Sequence, residues 1–456
     1  MKREVIIVFD VGKTNKKVLL FDRYLNVVHE EEERFKEVTD DDGFPSEDIE
    51  GLEQWIDRLI ERFLHSDRYE VKGINFTSYG ASLVYLDERG DRFTPLYNYL
   101  KPLPENLLCG FYERYGGEDE FCRSTASPAL GMLNSGLQIL WLKRSKPETF
   151  AKVSQILHLP QYLSYRITKK IRSEYTSLGC HTALWDFENM DYHRWLKDEG
   201  ITLPGPGDSG EVVPVRMNGR RVIVGVGIHD SSASLVPYLI SAADPFILVS
   251  TGTWCITMNP YNHSPLTVEE LKRDCLCFLS VKRKPVKSSR FFLGYIHDQN
   301  VAKLESYFKV SPGYCKGLIP GHGEIPDLWA GGKGSCLFFK EGAPPDFTDR
   351  KVNLEQFSNI DEAYARLMLD LTRLAIRSIR LTVTSGDSTN RLFITGGFAK
   401  NRFFTGFLTC AFPGRKIYTS AVNNATSLGA ALVIARNVWC DAPLKIDLEL
   451  TESATS

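Results

Sequence analysis

Apolar runs of strand length alternate with helix-like patterns along most of the chain. Residues 4–9 predict a buried strand, and a second and a third strand are predicted at 18–21 and 27–29, joined by a hairpin turn. One face of an amphipathic helix follows, formed by Ile49, Leu52, Ile56, Leu59, Ile60 and Phe63. The alternation of strand-like apolar runs with helical patterns predicts an α/β architecture.

The remaining pattern continues this alternation. Further strands are predicted at 73–76, 83–86, 221–226, 247–250, 255–258 and 392–394. Helices are predicted at 362–381 and 426–437, and within a helix-rich stretch at 133–168 that Pro160 interrupts. Residues 204–210 predict a loop because they are dense in glycine and proline, and little structure is expected after residue 440.

Two distant segments share one plan. VIIVFDVGKTNKKVLLFD near the start and FILVSTGTWCITMNP in the middle each give an apolar strand, a polar turn and another strand. This repetition predicts two related lobes, at 1–238 and 239–440, with a tail at 441–456. No change of composition marks the boundary between the lobes.

Composition narrows the class of protein without naming it. The 456 residues are 43% hydrophobic and 25% charged, with a net charge of -2, which is typical of a globular protein and excludes wholesale disorder. No apolar run reaches the roughly 18 residues that a membrane helix needs, so we expect a cytoplasmic protein. The charge is too even for a nucleic-acid surface. The ten cysteines lack the spacing of a zinc site.

The turn after the first strand carries candidate phosphate-binding chemistry. In Asp10-Val11-Gly12-Lys13-Thr14-Asn15, a carboxylate ends the strand and a glycine lets backbone N–H groups approach an anion. Ser250-Thr251-Gly252-Thr253 repeats these residue types without the carboxylate. Two such loops across a cleft could clamp a polyphosphate, with Mg2+ at Asp10 and with Lys13 or Lys17 offsetting charge. The alternative interpretation is two hairpins with polar turns.

Other glycine-rich segments are weaker candidates. Gly12-Lys13-Thr14 ends like a P-loop, but the required first glycine would fall at Ile7 inside the strand, so that motif is rejected. The GxGxxG spelling at 205–210 neither follows a strand nor opens a helix, which favours a surface loop. Gly396 and Gly397 follow a predicted strand and could support a flat ring or a ribose, although a tight turn is the better explanation of this segment taken alone.

Asp230 is the candidate general base. It follows the strand predicted at 221–226, and ligands of α/β sheets gather at the carboxyl ends of strands. An aspartate there could accept a proton from a hydroxyl that attacks a phosphate. It could also cap the next helix, and the two roles are compatible. His297-Asp298, His181 and His322 are interpreted as structural residues.

Taken together, DVGKTN, GIHDSSAS, STGTW and TGGFAKN resemble, in this order, the motifs of the FGGY family of carbohydrate kinases. The resemblance covers residues 4 to about 436. Two further segments, LPQYLSYRIT and SEYTSLGCHTALWD, resemble the rhamnulokinase and fuculokinase branch. The family implies a two-lobed, actin-like ATPase (ribonuclease H-like) fold, with ATP and sugar meeting in a central cleft.

The resemblance also implies roles for individual residues. Asp230 would be the catalytic base and Asp10 would serve the metal. The sugar would meet Tyr79, Gly80, His229 and Ser231. ATP would meet two groups of residues, one in each lobe, namely Gly12, Lys13, Thr14, Asn15 and Lys17, and Thr251, Gly252, Thr253, Gly396, Gly397 and Asn401.

The chain departs from the family pattern mainly on the sugar side. Tyr97-Asn98-Tyr99-Leu100-Lys101 replaces an aromatic and acidic-arginine motif, Tyr79 replaces a tryptophan, and an amide expected near Tyr295 is missing. The expected activity is ATP- and Mg2+-dependent phosphorylation of a terminal hydroxyl of a ketose such as L-rhamnulose or L-fuculose. Kinases for xylulose, ribulose or a polyol, a catalytically silent sensor and a polymerising scaffold are the alternatives. The expected partner is a small-molecule sugar, a homodimer stays open, and neither nucleic acid nor a membrane is expected.

Overall fold

The computed structural model describes residues 2–331, 338–339, 352–442 and 445–453. The first half of the chain contributes these strands: β1 Arg3–Val11, β2 Lys16–Asp22, β3 Val27–Glu33, β4 Val38–Thr39, β5 Pro45–Ser46, β6 Tyr69–Ser78, β7 Leu83–Leu86, β8 Gln155–His158, β9 Ser173–Glu174, β10 Trp185–Asp186, β11 Asp191–Tyr192, β12 Pro206–Gly207, β13 Val212–Met217, β14 Arg220–Gly225 and β15 Ile228–His229. Its helices are α1 Ile49–Leu64, α2 Glu118–Ser124, α3 Ser135–Ser145, α4 Pro147–Phe150, α5 Leu159–Thr168, α6 Tyr175–Leu178, α7 Trp195–Asp198 and α8 Asp230–Ser241.

The second half is built in the same way. Its strands are β16 Phe246–Thr251, β17 Cys255–Asn259, β18 Cys275–Leu279, β19 Pro285–Phe291, β20 Arg391–Gly396, β21 Lys416–Ser420 and β22 Leu450–Glu452. Its helices are α9 Val268–Leu271, α10 Leu293–Tyr307, α11 Glu324–Gly331, α12 Ile360–Leu381, α13 Arg402–Ala411 and α14 Ala425–Val438.

The central sheets of the two halves have equivalent topologies. In the first sheet, the order β3-β2-β1-β6-β14-β13 runs from an antiparallel meander into parallel strands and ends on an antiparallel edge strand. The order β19-β17-β16-β20-β21-β22 repeats this arrangement in the second sheet, with β18 added beyond β19. The predicted pair of related lobes is therefore confirmed at the level of strand order and direction.

Local sequence explains why these elements form. Both faces of β1 are covered, so its residues 5–9 form a continuous apolar run, as is typical of a strand inside an α/β sheet. In α1 the apolar residues recur on the face that packs on the first sheet, and the Asp48 side chain accepts a hydrogen bond from the Gly51 N–H and caps the helix.

Helices α8 and α14 pack against each other between the two sheets. They approach so closely at Gly429 that a Cβ there would lie 1.9 Å from the Ala233 carbonyl oxygen. Helix α14 also packs on β1 and β6, and the Asn75 side chain donates a hydrogen bond to the Ala430 carbonyl oxygen at 2.7 Å. The boundary at 238/239, which falls inside α8, stays a prediction.

Two local expectations are wrong. The region after residue 440 is not without structure, because β22 pairs with β21 as the edge strand equivalent to β13. Pro160 does not break a helix; it occupies the first turn of α5, where its missing N–H costs little, and β8 precedes it. The loop expected at 204–210 is present, apart from the two-residue β12, which pairs with β9. Among the described residues, no helix combines the length and apolarity needed to cross a bilayer.

Candidate active site

The sheet register brings two carboxylate-bearing segments to the same edge of the first sheet. Asp10 of β1 and Ile228 of β15 are both register partners of Thr77 in β6, on opposite sides of that strand. Neighbouring strands lie about 4.8 Å apart. Only β6 lies between the backbones of β1 and β15, so Asp10 and Asp230 belong to one small region at the edge of the sheet. Asp230 is the first residue of α8, directly after β15.

Both carboxyl groups have perturbed acidity. Burial raises the pKa of Asp230 to about 6, and hydrogen bonds from the N–H and hydroxyl of Ser231 oppose the rise. Burial likewise raises the pKa of Asp10 to about 6, against a hydrogen bond from Ser427, and the charge of Asp230 raises it further. The two carboxylates therefore interact electrostatically, and both are ionised at neutral pH.

A cavity of about 300 Å³ opens beside Asp230. It is lined by every residue predicted to contact the sugar, namely Tyr79, Gly80, His229, Asp230 and Ser231. About a third of the Asp230 side chain (32%) remains exposed. The structure thus brings the predicted sugar-side residues together around one cavity.

His229 forms part of the same wall in its neutral state. Burial lowers the pKa of His229 to about 4, and its Nε2 lies 3.3 Å from an Asp230 carboxylate oxygen. A Cβ on Gly80 would lie 3.0 Å from that Nε2, so glycine leaves the imidazole the room it occupies. Among the described residues, the buried Nδ1 of His229 has no hydrogen-bond partner.

The cavity is also lined by residues for which the sequence predicted no contact with the sugar. They come from both halves of the chain and include Tyr99, Leu133, Cys180, His181, Trp254 and Arg290. The guanidinium of Arg290 lies 5.2 Å from the Trp254 ring centroid and its Nε donates to Asp274 at 3.3 Å. Sequence signals existed for most of these residues, since Trp254 belongs to the STGTW motif, Tyr99 to the divergent segment at 97–101, and Cys180 and His181 to SEYTSLGCHTALWD. His181, interpreted from sequence as structural, is a wall residue, and burial lowers its pKa to about 3.

The first predicted phosphate loop, after β1, is a tight turn in which Lys13 and Lys16 pair with a carboxylate. The Gly12 N–H donates to the Asn15 carbonyl oxygen at 3.0 Å. Glu47 accepts from Lys13 and from the buried Lys16, each at 2.8 Å, and Lys16 also donates to the Lys13 carbonyl oxygen. The Glu47 carboxylate therefore holds this loop in place through its ion pairs with Lys13 and Lys16.

The other predicted residues of this loop have different surroundings. Lys17 donates to Glu30 at 3.2 Å and lies 3.5 Å from the Asn424 side-chain oxygen; its charge also acts on Asp10. The Asn15 side-chain oxygen accepts from Arg34 at 2.9 Å, and Thr14 is exposed. The predicted roles of Gly12, Lys13, Thr14, Asn15 and Lys17 toward ATP stay predictions.

In the second half, the turn after β16 lies against the turn after β20. Gly396 has a φ of +85°, and a Cβ there would lie 1.7 Å from the Thr251 carbonyl oxygen, so only glycine fits. The Thr251 hydroxyl accepts from the Phe398 N–H at 3.1 Å and donates to the Thr395 carbonyl oxygen. Thr251 therefore joins the two turns, which were predicted to serve the same nucleotide.

The remaining predicted ATP residues differ in how open they are. Gly252 and Thr253 are exposed, and no atom lies within 4 Å of a Cβ placed on Gly397, so a ligand could approach these backbones. The Asn401 side chain caps α13 by accepting from the Phe404 N–H at 3.1 Å, and its amide donates to Tyr364 at 2.9 Å. Asn401 is therefore engaged in the protein itself.

The residues present fit a nucleotide and a magnesium ion. Asp10 offers the hard carboxylate oxygen that Mg2+ prefers, with Ser427 holding its other oxygen at 2.7 Å. Open backbone at Gly252, Thr253 and Gly397 leaves room for phosphate and ribose. Among the described residues, one further acidic group has metal-like spacing, at Asp40, Asp41 and Asp42, but Lys101 and Lys146 form ion pairs with all three carboxylates.

The fold and this cleft define a class of protein, the two-lobed α/β enzymes with the actin-like ATPase fold. The chain matches the N-terminal domain of the FGGY family of carbohydrate kinases over residues 5–201 and an FGGY C-terminal domain over residues 243–312. The chain therefore belongs to the FGGY family of carbohydrate kinases.

Individual relatives agree with this assignment. The chain is 26% identical over 283 residues to a rhamnulokinase of Yersinia pestis, covering 58% of this chain and 56% of the relative. It is 29% identical over 220 residues to a xylulose kinase of Staphylococcus epidermidis, covering 47% and 41%. The matched region thus spans about half the length of these curated relatives.

Solved structures match over a longer range. A carbohydrate kinase from Novosphingobium aromaticivorans has a TM-score of 0.79 and 25% identity, covering 100% of this chain and 96% of that one. Glycerol kinase from Plasmodium falciparum, solved with ADP, has a TM-score of 0.72 and 19% identity, covering 97% and 91%. The second likeness concerns the fold alone.

Proposed function

We propose that this protein is an ATP- and Mg2+-dependent kinase that phosphorylates a terminal hydroxyl of a ketose. The observation that carries the proposal is the position of Asp230, a carboxylate at the carboxyl end of a strand that lines a sugar-sized cavity and interacts with Asp10. Family membership supports the reaction class, and the shared strand register supports the pairing of the two carboxylates.

Asp230 acts as the general base in this proposal. A raised pKa of about 6 keeps the carboxylate ionised at neutral pH while making it more basic than an ordinary aspartate. The hydroxyl of the sugar would donate its proton to Asp230 as its oxygen attacks phosphorus. The neutral His229, 3.3 Å from the carboxylate, would hold a neighbouring sugar oxygen without adding charge.

On the nucleotide side, Mg-ATP supplies the phosphoryl group and the metal charge that stabilises its transfer. Asp10 would hold the metal, and Ser427 would orient its carboxylate. The turns at Gly12 and Gly252 would present backbone N–H groups to phosphate, and the Gly396-Gly397 turn would meet the nucleoside.

The lining of the cavity supports a compact sugar. Aromatic and apolar side chains from both halves, such as Tyr79, Leu133 and Trp254, form much of the wall, while Asp230 and Arg290 supply the charge. A small apolar wall of this kind suits a deoxyketose, so L-rhamnulose and L-fuculose are the first candidates. Xylulose and ribulose are the second candidates, since a xylulose kinase is among the relatives.

The proposal is tested by measuring ADP release with a panel of ketoses and polyols at fixed Mg-ATP. We expect one or a few ketoses to raise ADP formation at least tenfold above the sugar-free rate, with one phosphorylated sugar formed per ADP. No stimulation by any panel member, with sugar binding still detectable by calorimetry, would favour a catalytically silent sensor instead.

A further inference from the structure

Glu174 is a buried carboxylate in the SEYTSLGCHTALWD segment that neither the predicted site nor the proposed function uses. It closes β9, is fully buried, and accepts four hydrogen bonds from its surroundings. One carboxylate oxygen accepts from the Ser209 hydroxyl at 2.5 Å. The other accepts from the Thr176 hydroxyl at 2.5 Å and from the backbone N–H groups of Thr176 and Ser177. Burial raises the pKa of Glu174, and these donors oppose the rise.

The carboxylate fixes the direction of the Thr176 hydroxyl. The Glu174 oxygen that Thr176 meets also accepts two backbone N–H groups, so it is an acceptor and the Thr176 O–H donates to it. The lone pairs of the Thr176 hydroxyl oxygen then face away from Glu174, and they accept a hydrogen bond from the His229 N–H at 2.9 Å. Glu174 thereby reaches the backbone of His229 through one hydroxyl.

This contact lies at the junction that carries the candidate base. His229 is the last residue of β15 and occupies the N-cap position of α8, whose first residue is Asp230. Strand pairing with Ser78 holds the junction on one side, and Thr176 holds it on the other. The Asp230 carboxylate accepts hydrogen bonds only locally, from Ser231, within the described structure, so its position depends on the backbone beneath it.

The same segment also continues into the cavity wall. Helix α6 begins directly after Glu174, and the chain leaves it through Gly179 to Cys180 and His181, both of which line the cavity. A Cβ on Gly179 would lie 2.5 Å from Leu279 of β18, and Ser232 of α8 donates to the Leu279 carbonyl oxygen at 2.8 Å. The helix that Glu174 caps and the helix that Asp230 opens therefore contact one strand of the second half.

We propose that Glu174 and Thr176 are positioning residues, which hold the His229–Asp230 backbone in the geometry that proton transfer requires. This inference rests on the proposed function, because it assumes that Asp230 is the base. Misplacing a catalytic group by about 1 Å can lower a rate by about 100-fold, whereas the binding of ATP on the other side of the cleft would be little affected.

The test compares Thr176→Val with Thr176→Ser. Valine keeps the shape but removes the acceptor, and serine restores it. We expect Thr176→Val to lower kcat with the best sugar at least tenfold, with KM for ATP within twofold of wild type, and Thr176→Ser to recover at least half of the wild-type kcat. Hydrogen exchange at the His229 amide should quicken in the valine variant and not in the serine variant.

Controls separate positioning from general destabilisation. Thr125→Val removes another buried hydroxyl, which donates to the Phe121 carbonyl oxygen at 2.7 Å and does not line the cavity, and it should leave kcat unchanged. If Thr176→Val does not fold, Glu174→Gln replaces it, with a smaller loss of kcat and the same faster exchange at His229 expected. A kcat within twofold of wild type, or unchanged exchange at His229, in the folded variant would overturn the inference.

The outcome is distinguishable from a failure of the proposed function. If Asp230→Asn keeps full activity, Asp230 is not the base, and the inference fails with the proposed function. If Asp230→Asn is inactive while Thr176→Val has a wild-type kcat, only the positioning role fails. If no sugar in the panel is turned over, the exchange rate at His229 decides whether Thr176 fixes this junction.

Discussion

The hydroxyl of Ser427 donates a 2.7 Å hydrogen bond to a carboxylate oxygen of Asp10, so a helix near the end of the chain holds the first candidate metal ligand. Ser427 is fully buried in α14, and Asp10 lies in β1, 417 residues earlier. The contact gives the candidate magnesium site one oxygen held by the protein and leaves the other oxygen to meet a metal.

Ser427→Ala should weaken the response to magnesium. Removing one hydrogen bond to a charged acceptor costs about 1.5–3 kcal/mol. Without this bond the Asp10 side chain would be less fixed in position, which would weaken its contact with the metal. We expect the Mg2+ concentration for half-maximal activity to rise several-fold, and calorimetry should show weaker binding of Mg-ADP. Thr426→Ala, one residue earlier in the helix, is the control, and equal effects of both substitutions would contradict the account.

The activity should fall at acid pH because the base must be ionised. Both Asp230 and Asp10 have a pKa raised to about 6, so kcat/KM should fall about tenfold per pH unit where the first carboxyl protonates and about 100-fold per pH unit where both are protonated. Since the two carboxylates interact, the apparent pKa values belong to the pair. A rate that stays constant down to pH 4.5 would show that neither group must be ionised.

The ionisation of Asp230 should also lower the stability of the folded protein. A folded pKa above the unfolded value means that ionised Asp230 destabilises the fold, so its stabilising contribution is complete below the unfolded pKa and is lost as pH rises through about 6. Asp230→Asn should therefore raise the melting temperature at pH 8, and the gain should shrink as pH falls from 6 to 4. A gain that grows toward acid pH would contradict this sign.

The turn after β20 offers a matched pair of glycines. Gly396→Ala places a Cβ 1.7 Å from the Thr251 carbonyl oxygen at a φ of +85°, and it should cost about 3 kcal/mol or more in the free energy of unfolding. Gly397→Ala meets no atom within 4 Å, so its melting temperature should stay near that of wild type.

The same pair tests the predicted nucleotide role. If the Gly397 backbone meets the nucleoside, its alanine variant should bind ADP several-fold more weakly while remaining stable. Unchanged ADP affinity in Gly397→Ala would remove this residue from the nucleotide site without affecting the structural role of Gly396.

Glu47 should be required for the first phosphate loop. It pairs with Lys13 and Lys16 at 2.8 Å, and both Lys16 and Glu47 are buried. Removing one partner of a buried ion pair costs about 3–5 kcal/mol, so Glu47→Gln should lower both the melting temperature and kcat. Glu37→Gln, which removes an exposed carboxylate 3.6 Å from Lys13, should change neither, and similar losses in both variants would contradict a specific role.

Arg290 should discriminate among sugars. Its guanidinium lines the cavity, stacks on Trp254 and has one carboxylate partner, Asp274, among the described residues. We expect Arg290→Met to raise KM for the best sugar at least tenfold with KM for ATP unchanged, while Arg283→Met, which removes the exposed partner of Asp208, has no effect on either. A matching rise in KM for ATP would assign Arg290 to the phosphates instead.

Local patterns predicted the central strands of both sheets and several helices, but not most of the outer strands. The strand that carries Asp10 and the helices α1, α12 and α14 follow from runs of apolar residues with clear periods. The strand predicted at 221–226 corresponds to β14, whereas the short β15 that directly precedes Asp230 was missed, as were β13, β18, β19 and β21. The four-residue β8 was missed because its apolar residues resemble the helices on either side. The edge strand β22 was missed because it depends on pairing with β21, which no local pattern reports.

In the candidate site, too, the residues in local motifs could be predicted, whereas those brought in by tertiary packing could not. Asp10, Gly80 and Asp230 lie in recognisable motifs at strand ends, so their types and positions could be predicted. Arg290 and His181 reach the cavity only through packing of the two halves, and the link from Glu174 to His229 joins residues 55 positions apart through one threonine. Such contacts depend on tertiary structure, which the periodicity of a single sequence does not specify.

Sugar-dependent ADP release by Asp230→Asn, compared with wild type at pH 7.5, tests the central claim most directly. Asparagine keeps the size of the side chain but cannot accept the proton, so the rate with the best ketose should fall at least 1000-fold, a loss of about 4 kcal/mol of transition-state stabilisation. Mg-ADP binding should persist, which shows that the cleft remains intact. A variant that retains the wild-type rate would show that Asp230 is not the base.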